Sequence, residues 1–100
     1  MPSFVATVIE TWAQLATPLL ERGFKSSTKQ SALGKAVIEL EGPGVVASIE
    51  LWEDGQCLDT TLHRLSADRG SILACGSCQS HAETVTRLSE LRAALLNATG

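Results

Sequence analysis

Two runs of alternating apolar and polar residues flank the dipeptide Asp54-Gly55, within residues 45–59 of the chain. A period of two is typical of a strand with one buried face, and Asp-Gly favours the two-residue type I′ turn of a β-hairpin. A turn at this position places Leu51 opposite Leu58, so the apolar side chains of both strands share one face. We therefore predict a hairpin at the centre of a sheet, with Gly55 as its structural turn residue.

The other face of the predicted hairpin is polar. It carries Glu50 opposite Asp59, together with Trp52, and Glu39 joins it from the strand that precedes the hairpin. For Trp52 two interpretations remain open. Large aromatic residues among charges are typical of interface anchors, but a cation–π contact with Lys35 or cover by residues 25–31 would also explain it.

A helix is predicted before the hairpin, because apolar residues recur at helical spacing from residue 4 to about residue 20. Ser3 is the candidate N-cap. Pro18 has no N–H to donate and crowds the preceding turn, which predicts a kink or break near Thr17. Gly23 is then the expected C′ residue that ends the helix.

The last element is predicted to be a second helix. Ser80 and Glu83 fit a capping box, and Glu83 lies four residues before Arg87, where an ion pair is favoured. The apolar residues that follow at helical spacing are Val85, Leu88, Leu91, Leu95 and Leu96.

Further strands are predicted on either side of the hairpin, over residues 34–41 and 71–75. The turn at residues 42–44 must be a two- or four-residue loop, since a simple odd-length loop would reverse the apolar face. Residues 65–70 form a polar connector. Residues 25–31 are polar, and their sequence leaves open whether they form a loop or an edge strand.

These elements predict an α+β fold and a single domain over residues 1–100. The expected architecture is a two-layer sandwich with element order α-β-β-β-β-α. Its four-stranded antiparallel meander has the N- and C-terminal helices packed on one face and leaves the other face open. No run approaches the length of a membrane span, and the first residues do not resemble a signal peptide, so a cytoplasmic protein without membrane contact is expected.

Charge distribution restricts the class of partner. The formal net charge is −3, and no Lys or Arg occurs between Lys35 and Arg64. That interval contains Glu39, Glu41, Glu50, Glu53, Asp54 and Asp59. Such a segment repels phosphates, which argues against direct nucleic-acid binding and favours a basic protein partner.

The string Cys75-Gly-Ser-Cys78-Gln-Ser-His81 suggests a zinc or thiol module, with Cys57 or His63 as the fourth ligand. No second paired motif accompanies it, and Cys75 and Cys78 point to opposite faces of a continued strand. The capping box also places the helix N-terminus beyond both thiols, where a thioredoxin-like site would need one of them. Structural or incidental cysteines are therefore the favoured interpretation, with no metal and no cofactor expected.

Catalysis is not predicted either. Glu50 and Asp59 are paired carboxylates, which can serve acid–base chemistry, but a flat sheet face lacks the enclosed pocket that catalysis requires. No nucleophile, lid or phosphate-binding loop accompanies them. The interpretation that remains is a binding protein and not an enzyme.

Residues 47–59 also resemble the TriTu family of bacterial immunity proteins, in which a strand of the form I-x-x-W-E-x-G precedes a strand that carries Asp. The matching residues here are Trp52, Glu53, Gly55 and Asp59. The order of a Trp-containing helix, strands and a Leu-rich helix is similar as well, so the resemblance covers nearly the whole chain.

The resemblance implies an immunity protein that binds a cognate bacterial toxin domain and neutralises it, with nuclease toxins that act on tRNA as the associated class. The predicted partner-binding residues are Trp52, Glu50, Glu53, Asp54, Asp59 and Glu39. An export chaperone or assembly subunit is the alternative, since it would also be acidic and would also use an open sheet face. A homodimer through that face is a further possibility.

Overall fold

The computed structural model describes residues 3–31, 34–66 and 70–99 of the chain. It is an α+β fold with an open antiparallel sheet and helices at both ends of the chain. The elements are α1 (Phe4–Leu15), α2 (Thr17–Glu21), β1 (Lys25–Gln30), β2 (Lys35–Gly42), β3 (Val45–Trp52), a 3-10 turn (Asp54–Gln56), β4 (Cys57–Arg64), β5 (Ser71–Ala74) and α3 (His81–Thr99).

The sheet is a meander in which each strand pairs with the next one along the chain, in the order β1-β2-β3-β4-β5. The predicted register of the central hairpin is confirmed. Leu51 lies opposite Leu58, and Glu50 lies opposite Asp59. The side chains of β3 and β4 alternate between buried and half-buried over nearly their full length, as a strand with one covered face requires.

The turn of this hairpin differs from the predicted two-residue type I′ turn. The strands end at the pair Trp52 and Cys57, so the loop has four residues, Glu53 to Gln56. Positive φ angles occur at Gly55 (71°) and Gln56 (47°), one position later than a type I′ turn at Asp54-Gly55 needs. The register is unchanged, because loops of two and of four residues both leave the apolar side chains of the two strands on the same face. Gly55 is a structural turn residue.

The prediction of four strands is wrong, because the polar segment that the sequence left undecided forms the edge strand β1. It pairs along its whole length with β2, from Lys25 opposite Glu41 to Gln30 opposite Ala36. All six of its side chains are exposed. An element that buries no side chain has no apolar periodicity, which is the signal on which strand prediction depends.

The connections between the other strands are short. Gly42 pairs with Val45, so β2 and β3 are joined by the two-residue loop Pro43-Gly44, one of the two predicted lengths. Gly44 has a φ of 73°, which suits a glycine that follows Pro in a tight turn. Of the connector between β4 and β5, residues 67–69 lie outside the described part of the chain.

The helix break that the sequence predicts near Thr17 is present, since α1 ends at Leu15. Ser3 caps α1 by accepting a hydrogen bond from the Ala6 N–H at 3.0 Å, and α1 gives way to α2 at Ala16. Pro18 then lies in the first turn of α2, where its missing N–H has no cost. At the end of α2, Gly23 adopts a φ of 92°.

A Schellman motif turns the chain from α2 into the sheet. The Gly23 N–H donates to the Leu20 carbonyl, and the Phe24 N–H donates to the Leu19 carbonyl, both at 3.1 Å. Phe24 is buried, and its ring covers Gly42 so closely that a Cβ at position 42 would overlap the ring. A side chain at Gly42 would therefore displace the aromatic ring that closes this corner of the core.

One hydrophobic core joins all three helices to one face of the sheet. The sheet contributes Ala36, Ile38, Leu40, Val45, Ala47, Ile49, Leu51, Leu58 and Leu62. The helices contribute Val5, Val8, Trp12, Leu19, Leu88, Leu91 and Leu95, and Ala16 joins them from the junction of α1 and α2. These sheet residues occupy every second position of their strands and therefore share one face. The residues between them point to the other face, away from the helices. Trp12 belongs to the core and is almost completely buried.

Thr60 is a polar exception within this core. Its side chain is fully buried, and its hydroxyl has no hydrogen-bond partner among the described residues. We predict that Thr60→Val raises the free energy of unfolding by about 1 kcal/mol, because a methyl group of similar size removes the cost of an unpaired buried hydroxyl. Urea unfolding followed by circular dichroism measures the change.

The neighbouring threonine supplies the control. Thr61 points away from the core, and its hydroxyl lies 2.7 Å from that of Ser48. Thr61→Val should not stabilise the protein, because it removes a hydrogen bond. A Thr60→Val protein that unfolds at the same or a lower urea concentration than the parent would show that the buried hydroxyl has no net cost.

Candidate protein-binding face

The sheet face that points away from the helices is termed the outer face. On β2, β3 and β4 it consists of Lys35, Val37, Glu39, Glu41, Val46, Ser48, Glu50, Trp52, Cys57, Asp59, Thr61 and His63. Each of these side chains is half-buried or exposed, whereas their sequence neighbours in the strands are mostly buried. The outer face therefore has the composition of a solvated surface and not of a core.

A concavity of about 720 Å³ lies on the outer face. It extends from Lys25 on β1 to Ile72 on β5, across the centre of the sheet. Its centre is formed by small side chains, with Ser48 and Thr61 bonded to one another through their hydroxyls at 2.7 Å. Because large side chains surround small ones, the twisted sheet presents a hollow and not a flat surface.

The charge of the outer face is distributed unevenly. Its carboxylates on β2 to β4 are Glu39, Glu41, Glu50 and Asp59. The edge strand β1 adds Lys25, which pairs with Glu41, and Lys29, which pairs with Val37. The predicted acidic surface therefore occupies the centre of the sheet, and lysines border it on the β1 side. The sequence did not predict this border, because residues 25–31 could not be assigned to a strand.

Trp52 lies on the outer face and is half-buried. The Lys35 ammonium nitrogen lies 5.1 Å from the centre of its ring, within cation–π distance, on the neighbouring strand. The cation–π contact, which is one of the two interpretations of Trp52, is therefore present. The contact covers one side of the ring, and the residue remains accessible to a partner.

Glu53 does not belong to the outer face, since its carboxylate is directed at the first helix. It accepts hydrogen bonds from the backbone N–H groups of Phe4 at 2.7 Å and Val5 at 3.0 Å. Its own N–H donates to the Gly34 carbonyl at 2.8 Å. The N–H groups of Val5 and Phe4 lower the pKa of the Glu53 carboxyl, as expected for a carboxylate at a helix N-terminus.

Asp54 and Asp59 are placed differently from one another. Asp54 is exposed at the turn and makes no hydrogen bond to the rest of the described chain through its carboxylate. Asp59 is half-buried and accepts a hydrogen bond from the Gly76 N–H at 3.1 Å. One of its oxygens thus holds the segment after β5, while its position opposite Glu50 keeps it on the outer face.

A second link holds the same segment to the sheet from the helix side. Arg87 donates hydrogen bonds to the carbonyls of Leu58, Gly76 and Ser77 at 2.8–3.0 Å. The predicted ion pair with Glu83 is confirmed, with 2.8 Å between its two atoms. Glu83 also accepts from the Gln79 N–H, which is the main cause of its lowered pKa.

The capping box of α3 is confirmed in part. The Glu83 N–H donates to the Ser80 hydroxyl at 3.1 Å, as the motif requires. The returning bond of the Glu83 carboxylate goes to the Gln79 N–H and not to Ser80.

The three cysteines have different environments. Cys78 is buried in the core, Cys75 is exposed, and Cys57 is half-buried. Cys57 forms an isolated bridge with Ser77, whose hydroxyl lies 3.8 Å from its sulfur. Within residues 3–31, 34–66 and 70–99, no three His, Cys, Asp or Glu side chains are grouped so that they could hold a metal ion.

Comparison with family models, with curated proteins and with solved structures gave no match to this chain. None of the helices in the described part of the chain combines the length and the apolar character needed to cross a bilayer.

The contact between Glu53 and α1 predicts a pH-dependent stability. Because its folded pKa lies below the usual value of 4.5, ionised Glu53 stabilises the fold above that pH, and the contribution is lost as pH falls through the folded pKa. We expect Glu53→Gln to melt at a lower temperature than the parent at pH 7. The difference should shrink as the pH is lowered, because the parent carboxyl becomes protonated once the pH falls through its folded pKa.

Thermal unfolding followed by circular dichroism at pH 7 and over a series of lower pH values measures this effect. Asp54→Asn is the matched control, since it removes the neighbouring carboxylate without touching α1, and should change the melting temperature little. If Glu53→Gln and Asp54→Asn gave the same melting temperature at pH 7, the cap would not stabilise the protein.

Proposed function

We propose that the protein is an immunity protein, which binds and neutralises a cognate bacterial toxin domain in the cytoplasm of the producing cell. The observation that carries the proposal is the open outer face, on which a concavity coincides with a group of carboxylates. Helices cover one side of the sheet, and in the described part of the chain the outer face is accessible to a partner. Surfaces of this kind are typical of protein-binding modules.

The charge of the surface favours a basic partner. Glu39, Glu41 and Glu50 line the concavity together with the apolar side chains of Val37 and Val46. A nuclease that binds RNA has a basic surface, and a hollow lined by carboxylates complements such a surface and accelerates association. Inhibition would follow because a bound acidic surface occupies the site that the RNA phosphates need.

The placement of the six predicted binding residues refines the proposal. Glu39, Glu50, Trp52 and Asp59 are available on the outer face, and Asp54 is exposed at its end. Glu53 is occupied at the N-terminus of α1, so we propose a structural role for it. The resemblance of residues 47–59 to the TriTu immunity family supports the same function. One hairpin would then supply both the centre of the fold and part of the binding surface.

Co-expression tests the function directly. We expect this protein to rescue the growth of cells that express the toxin encoded immediately upstream of its own gene. Growth is measured with and without induction of the protein. Unchanged toxicity in the presence of the folded protein would refute the proposal.

Matched charge reversals locate the surface in the same assay. Glu39 and Glu90 are both exposed, but Glu39 lies on the outer face and Glu90 lies on α3. Glu39→Lys should weaken protection and slow association with the toxin, and the association rate should depend less on salt concentration than that of the parent. Glu90→Lys should protect like the parent. Equal protection by both variants would exclude Glu39 from the binding surface.

Trp52 is the proposed anchor of the interface. Trp52→Ala should weaken toxin binding by about 2 kcal/mol or more, roughly 30-fold in Kd, because interface aromatic residues of this kind contribute most of the binding free energy. Calorimetric titration measures the affinity, and circular dichroism verifies that the variant is folded. Unchanged affinity would leave Trp52 as the partner of Lys35 alone.

A further inference from the structure

The two edges of the sheet have opposite character. The β1 edge is polar and carries Lys25 and Lys29, and lysine on an edge strand is a common way to prevent pairing with another sheet. The β5 edge consists of Ser71, Ile72, Leu73 and Ala74, without a charged side chain. Among the residues that the structure describes, no strand pairs with the outer side of β5.

The apolar side chains of β5 are exposed to an unusual degree. Ile72 has 72% of its surface exposed, and Leu73 has 38%. The core leucines of the same sheet are at most 8% exposed, so β5 contributes little to the core of its own chain. An uncharged strand with exposed apolar residues and a free backbone edge is the combination that pairs with another strand.

We infer that β5 is a dimerisation edge, on which β5 of a second copy of this chain pairs antiparallel to form one continuous sheet. A second copy is the occupant because an antiparallel pair of identical strands satisfies two-fold symmetry, and each copy offers the same uncharged, apolar edge. No like charges oppose one another in this pairing. The proposal does not depend on toxin binding.

The lysines of β1 limit the assembly to two copies. Pairing β5 with β1 of the next molecule would be a heterologous contact that repeats without closure and gives filaments. That contact would bring the apolar edge of one copy against Lys25 and Lys29 of another. With only one edge free of charge, the assembly closes as a dimer.

The dimer should be weak. A four-residue strand buries less surface than the roughly 1,200 Å² at the lower limit of stable interfaces, so we expect a Kd between about 10 µM and 1 mM. Sedimentation velocity on the intact chain over this concentration range is the test. The mass should rise with concentration from 10.6 kDa toward twice that value.

Substitutions identify the edge. Ile72→Lys should keep the protein monomeric at every concentration, because it places a charge in the apolar edge, and its exposure means that the fold is retained. Leu20→Lys is the control, since Leu20 is an exposed leucine on α2, 49% exposed and outside β5, and it should dimerise like the parent.

Three results would overturn the inference. The parent could remain monomeric over the whole concentration range. Alternatively, Ile72→Lys could dimerise as the parent does. Finally, the dimer could be lost in Trp52→Ala while it persists in Ile72→Lys, which would assign the contact to the outer face.

Discussion

The pairing of β3 with β4 is the constraint on which the rest of the structure depends. Ile49, Leu51 and Leu58 are completely buried in this register, and their neighbours Glu50 and Asp59 are directed outward. A shift of one residue in either strand would exchange these two sets and place carboxylates against the helices, where an unpaired charge is very costly. The same pairing therefore determines both the core and the composition of the outer face.

The loop that joins these strands has a second role, because it also fixes the first helix. Glu53 occupies two of the N–H groups that every α-helix leaves unpaired at its N-terminus, and Ser3 occupies another. These bonds join Glu53 to residues that precede it by 49 and 48 positions in the chain, at one end of the sheet. The position of α1 thus depends on a side chain that the sequence pattern placed on the binding surface.

The sequence predicted those parts of the fold that follow from local rules. The hairpin register, the break at Pro18, the end of α2 at Gly23 and the cap at Ser80 each depend on a few neighbouring residues. It could not predict β1, whose exposed residues have no apolar pattern, or the contacts of Glu53 and Arg87, which join distant segments. For the candidate site this meant that the carboxylates were predicted, whereas the concavity and its border of lysines were not.

The outer face and the β5 edge would act together in the proposed dimer. Antiparallel pairing at an edge places the two-fold axis perpendicular to the sheet, so both outer faces lie on the same side of the continuous sheet. Ile72 both forms the edge and lines the concavity, so the two concavities would lie next to one another across the dimer axis. A partner that reached both would be held by two contacts at high effective concentration, and its affinity would increase without any new contact. Dimerisation at β5 would therefore strengthen binding at the outer face while leaving every residue of that face in place except Ile72.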